Sequence, residues 1–132
     1  MSIKQLLEQR LNEEDSVPMV HITTNDIANK IEQEGFDPKG FIDYKYYSNL
    51  GKDGIYFYKD EKPYGYRIIQ QYAYFLVDKV NQQTVALIFV DVPKNIIVKG
   101  DSHEDGFFVP KDQLDKIKIK KIQYNVKPRD LY

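Results

Sequence analysis

Apolar residues recur at helical spacing in some stretches of this chain and at strand spacing in others, and the two periods alternate. Ile3, Leu6, Leu7 and Leu11 share one helical face behind Ser2 and Gln5, a capping-box pair. The first dozen residues therefore predict a short amphipathic helix, ended by Glu13-Glu14-Asp15-Ser16. Residues 18–22 are short, apolar and β-branched, which predicts a strand with His21 near its end. Thr23 or Thr24 is then placed to cap a helix over residues 25–34. Ile27, Ala28 and Ile31 form its buried stripe, Asp26 sits in the first turn, and Gly35 is suited to a positive-φ exit before Phe36.

Residues 37–53 show no period and are punctuated by Pro38, Gly40, Asn49, Gly51 and Asp53, which predicts a long loop with at most one helical turn over 41–47. A loop of that length inside a compact domain is usually functional. Residues 54–58 predict a strand. Residues 63–80 fit a helix through Ile69, Tyr72, Ala73, Leu76 and Val80, with a hairpin over 72–77 as the alternative. Residues 84–92 are almost continuously apolar, as in a central strand, and stop at Pro93. Short strands are expected at 96–98 and 107–109 around a polar loop. Over 116–124 lysine alternates with isoleucine until the register slips at Lys120-Lys121, the pattern of an edge strand with a bulge; residues 127–132 read as a loose tail. The order predicts one α+β domain over residues 1–132, with 1–15 its N-terminal helix.

Composition changes this picture little. At 132 residues, with 42% hydrophobic and 30% charged, the chain is long enough for one core without staples. No apolar run reaches the ~18 residues of a membrane span, and the start does not read as a signal peptide, so a cytoplasmic protein without membrane partners is expected. With no cysteine there is no disulfide or thiolate chemistry, and with two histidines no multi-histidine metal site within one chain. Asp101 and His103-Glu104-Asp105 read as a solvated acidic loop, so no metal is assigned. A net charge of −1 supplies no global attraction for nucleic acid. Locally, residues 111–129 hold seven basic against two acidic residues, a pattern that more often guards a sheet edge than binds phosphate.

Nine of the 11 tyrosines lie between Tyr44 and Tyr74, around a glycine-flanked turn that runs into Ile55-Tyr56-Phe57. Tyrosine suits stacking and interfaces, although rings on a partly exposed sheet face are the commoner reason for such a cluster. His21 alone would be a satisfied strand-end histidine. Together, Val20-His21-Ile22-Thr23-Thr24, Ile27-Ala28-Asn29-Lys30-Ile31, Glu34-Gly35-Phe36 and Leu50-Gly51-Lys52-Asp53-Gly54-Ile55-Tyr56-Phe57 resemble the donor-site half of the ADP-ribosyltransferase fold, in its diphtheria-toxin and poly(ADP-ribose) polymerase branch. The similarity covers about a third of the chain.

The resemblance implies split antiparallel sheets with short helices and a toxin-like glycosyltransferase that uses NAD. It implies that His21 binds the nicotinamide-side ribose, that the Ile22 backbone and Thr23 lie near the carboxamide, and that Tyr56 and Tyr66 sandwich the ring. The branch's third motif is a glutamate opening a late strand. Here that position is Gly106, with Glu104 and Asp105 one or two residues before it as the carboxylates that replace it. The expected catalytic set is thus His21, Tyr56, Glu104 and Asp105, and the expected reaction is transfer of a single ADP-ribose to a macromolecular target, a protein rather than a nucleic acid. The alternative keeps the fold without catalysis, as a protein-binding or inhibitor module that uses the tyrosine-rich segment 41–66.

Overall fold

The computed structural model describes residues 2–3, 15–36, 54–62, 64–99 and 106–131. The N-terminal helix, the turn over 41–47, Glu104 and Asp105 lie outside the described residues, as does all of the acidic loop. The described chain is α+β. Its strands are β1 (Ser16–Thr23), β2 (Gly54–Lys59), β3 (Val85–Pro93), β4 (Val98–Lys99), β5 (Gly106–Pro110) and β6 (Lys118–Val126), and its two α-helices are α1 (Asn25–Glu34) and α2 (Tyr64–Val80).

All six strands join in a single antiparallel sheet of order β4-β5-β2-β1-β3-β6. The expected pair of split sheets is therefore replaced by one sheet with an uneven seam. β1 pairs with β3 over eight residues and β2 with β5 over five, yet β1 and β2 meet only at Met19↔Lys59 and Val20↔Tyr58. Beyond those two rungs β1 and β2 form no further ladder pairs, although the residues on both sides of the seam are buried.

Each sheet face buries a helix, as alternation along the strands requires. Met19, Ile55, Phe57, Ile88 and Val109 pack under Ile27, Ala28 and Ile31 of α1. On the other face Val20, Ile22, Tyr58 and Leu87 pack under Ile69, Ala73 and Leu76 of α2. That 3- and 4-residue spacing settles the segment as a helix rather than a hairpin, and at 17 residues it is not a short one.

α1 starts where the Thr24 hydroxyl accepts a hydrogen bond from Ile27 N–H at 3.2 Å, so Thr24 and not Thr23 is the cap. It ends at Gly35, whose φ of 81° is open to glycine at little cost. Pro18 sits inside a strand flanked on both sides because its carbonyl faces the end of β2, where it accepts from Asp60 N–H at 3.2 Å. In an antiparallel strand one residue's N–H and C=O point the same way, so its missing N–H costs no bond to β3.

The boundaries moved in three places. Lys94–Ile96 closes a 3-10 turn after Pro93, with Ile97 N–H bonded to the Lys94 carbonyl, and only Val98–Lys99 is strand. A second 3-10 turn takes Lys111–Lys116, so the lysine-isoleucine strand starts at Lys118. The expected bulge is there: Phe89↔Lys121 is followed by Val90↔Ile119, leaving Lys120 unpaired in the ladder and free to meet Asp91 at 3.2 Å. The tail is not loose through Leu131. Pro128–Leu131 forms a 3-10 turn whose Pro128 and Leu131 are buried, and Gln70 of α2 donates to the Pro128 carbonyl at 2.9 Å. A single leucine at the end of a lysine-rich stretch gives too little period to announce this docking.

Among the described residues no helix is long and apolar enough to cross a membrane.

The opening between β1 and β2 as a candidate functional site

Continuing the register past Val20↔Tyr58 would set His21 opposite Phe57 and Thr23 opposite Ile55. The recorded pairing does not continue. In its place the His21 side chain reaches across, with Nδ1 at 2.9 Å from the Tyr56 carbonyl oxygen. A carbonyl only accepts, so Nδ1 carries the hydrogen of this bond. The ring is 2% exposed and lies against Phe57 and Phe36, at centroid distances of 5.4 and 5.9 Å. His21 is thus a side-chain rung that replaces backbone rungs at the point where the strands part.

Thr23 lies two residues along the same face, opposite Ala86 of β3. It is fully buried, and its Oγ1 has no hydrogen-bond partner among the described residues. Since Thr24 performs the capping, Thr23 has no local role for its hydroxyl. Leaving a buried hydroxyl unpaired costs about 1–3 kcal/mol. That cost falls on a polar atom two residues from the last β1–β2 rungs, on the His21 face of β1. Its neighbour Ile22 points to the other face, into the α2 core.

The tyrosines occupy that other face. Tyr56, next to Phe57 in an extended strand, turns toward α2, where its ring is 2% exposed and packs 5.3 Å from Phe108 with Tyr72 alongside. Tyr66, near the start of α2, donates its hydroxyl to Asp60 Oδ1 at 2.6 Å, while Lys62 Nζ sits 5.0 Å from its ring centroid. The two tyrosines thus share one side of the sheet and His21 lies on the other. The structure does not gather the three side chains into one open pocket; it joins His21 to the backbone of Tyr56 across the seam. Tyr58 is buried, and Tyr74, half-exposed, belongs to α2 rather than to a sheet face.

Burial, then the hydrogen bond to Asp60 and its charge, push the Tyr66 phenol well above its ordinary value of 10.0. A folded-state value above the unfolded one means that this bond stabilises the fold below about pH 10 and that the contribution fades as the pH rises further. Tyr66→Phe is expected to cost about 1 kcal/mol at neutral pH. In urea titrations repeated up to pH 11, the gap between wild type and variant should narrow above pH 10.

Gly106 opens β5 opposite Tyr58, which is itself opposite Val20. The position expected for a carboxylate is therefore on the last rung before the seam opens. Two features escaped sequence reasoning: the limited β1–β2 ladder and the orphaned Thr23 hydroxyl. The doublet Thr23-Thr24 was the available signal, since one helix start needs only one cap. No family model, curated protein or solved structure matches the chain.

Proposed function

We propose that the chain is an NAD-dependent mono-ADP-ribosyltransferase-like protein whose site lies at the seam between β1 and β2. The observation that carries the proposal is the orphaned Thr23 hydroxyl, buried two residues from His21 where the ladder stops. A carboxamide offers both donor and acceptor to that hydroxyl, and the family resemblance assigns the nicotinamide-side ribose to His21. NAD supplies a glycosidic bond between nicotinamide and ribose; its cleavage releases nicotinamide, and a nucleophile of the target bonds to the anomeric carbon of the ADP-ribosyl group.

The opposite facing of His21 and Tyr56 sets a condition. One ligand meets both only if it enters the seam itself, with His21 and Thr23 on one side and the Tyr56 edge on the other. Phe36, which is partly buried against the His21 ring, must then shift. Tyr66 reaches a stacked ring only by exchanging its bond to Asp60. In this reading His21 and Thr23 orient the ligand and exclude water, Tyr56 and Tyr66 stack on it, and Glu104 or Asp105 supplies the carboxylate that Gly106 lacks. A macromolecular target receives a single ADP-ribose unit.

A second reading keeps the fold without catalysis, as a protein-binding or inhibitor module acting through segment 41–66. The closed state of His21, Tyr56 and Tyr66, together with Gly106 at the carboxylate position, favours it. Calorimetric titration separates the two. Saturable NAD binding, followed by transfer of labelled ADP-ribose to lysate protein that is lost in Glu104→Gln or Asp105→Asn, supports the transferase. No heat and no thermal shift at millimolar NAD leaves the binding module.

A further inference from the structure

The C-terminal 3-10 turn and α2 line a shallow, open cleft unrelated to the seam residues. Its volume is about 270 Å³, and its lining is Tyr74, Gln83, Lys127, Pro128 and Arg129. The composition of that lining is unusual for a surface depression. Two cations flank Pro128, no carboxylate joins them, and an aromatic ring that is half-exposed forms the helix-side wall. Both cations project from an anchored backbone, because Pro128 and Leu131 are buried and Gln70 holds the Pro128 carbonyl at 2.9 Å. Lys127 and Arg129 form no ion pair among the described residues, whereas Lys120 of the neighbouring strand meets Asp91.

We infer that this cleft binds a nucleotide unit, with the phosphate held by Lys127 and Arg129 and the base stacked on Tyr74. A guanidinium fork and an ammonium two residues apart suit a phosphate, which accepts from both. An exposed phenol ring beside them supplies the stacking platform that sequence-tolerant nucleic-acid sites use. The Gln83 amide offers a donor and an acceptor to a base edge. An acidic peptide would satisfy the cations and leave the ring without a purpose. The site stands on its own observations and does not depend on NAD entering the seam.

The unit can come from a free nucleotide or from a single strand, and one experiment distinguishes them. Fluorescence anisotropy of a labelled eight-residue oligouridylate is measured at 50 and 200 mM salt with the full chain and no other nucleotide present. Tyr74→Ala is expected to weaken binding about tenfold. Lys127→Gln with Arg129→Gln is expected to do the same and to make the salt slope shallower by about 0.7, from the one phosphate that the pair holds. All three positions are exposed, so folding is retained. Competition by uridine monophosphate at equal nucleotide concentration identifies a free nucleotide as the ligand, and its failure to compete identifies the strand. Binding that is unchanged in both variants, absent at 50 mM salt, or abolished equally by polyglutamate overturns the inference.

Discussion

Gly54→Ala is expected to lower stability by about 3 kcal/mol, at the upper end of what overpacking a core costs. A Cβ built at Gly54 would lie 2.3 Å from Phe108 Cζ and 2.4 Å from the Val109 carbonyl oxygen. Neither neighbour can retreat. Phe108 is 1% exposed and wedged against Tyr56, and the Val109 carbonyl belongs to the β2–β5 ladder, whose rungs include Gly54↔Pro110 and Ile55↔Val109. The methyl must therefore push β2 from β5 or drive the Phe108 ring into Tyr56. Denaturant unfolding of the variant measures the loss directly, and a change below about 0.5 kcal/mol would show that the strand edge is softer than this packing implies.

His21→Ala is expected to cost about 3–4 kcal/mol. Removing the ring leaves a cavity between Phe36 and Phe57, which by comparison with other large-to-small core changes costs about 2–3 kcal/mol. The Tyr56 carbonyl also loses its donor, worth about a further 1 kcal/mol. His21→Phe separates the two contributions, since it keeps a ring and removes only the hydrogen bond; about 1–2 kcal/mol is expected. Equal losses in the two variants would show that the bond across the seam, and not the packing, is what His21 provides.

Local pattern made most of the fold legible. The Thr-capped, glycine-ended helix α1, the stripe of α2 and the slip at Lys120 each rest on residues close in sequence, where side-chain period and backbone geometry are directly coupled. What was not legible depends on pairs far apart. No period in residues 16–23 or 54–59 says how many rungs those strands share, and that number decides whether the sheet is continuous or open. The site was half legible for the same reason. The family resemblance implied that His21 and Tyr56 share a pocket; the structure joins His21 to the Tyr56 backbone, because alternation along β2 sends the Tyr56 side chain to the α2 face. The 3-10 turn at Pro128–Leu131 was missed because one buried leucine among lysines carries no periodicity.

Thr23 is the residue on which the functional account depends, and Thr23→Val tests it with two effects of opposite sign. Valine fills the same space without a hydroxyl, so the ligand-free variant should be about 1 kcal/mol more stable than wild type, since no buried polar atom is left unpaired. If NAD takes the opening, the variant should bind it about tenfold more weakly, which is the equivalent of one lost hydrogen bond of ~1.4 kcal/mol. The measurement is thermal unfolding of both proteins across an NAD titration to millimolar concentration. A higher starting Tm and a smaller NAD-induced rise in Thr23→Val is the predicted result. An equal NAD-induced rise in both proteins, or none in wild type, would contradict it.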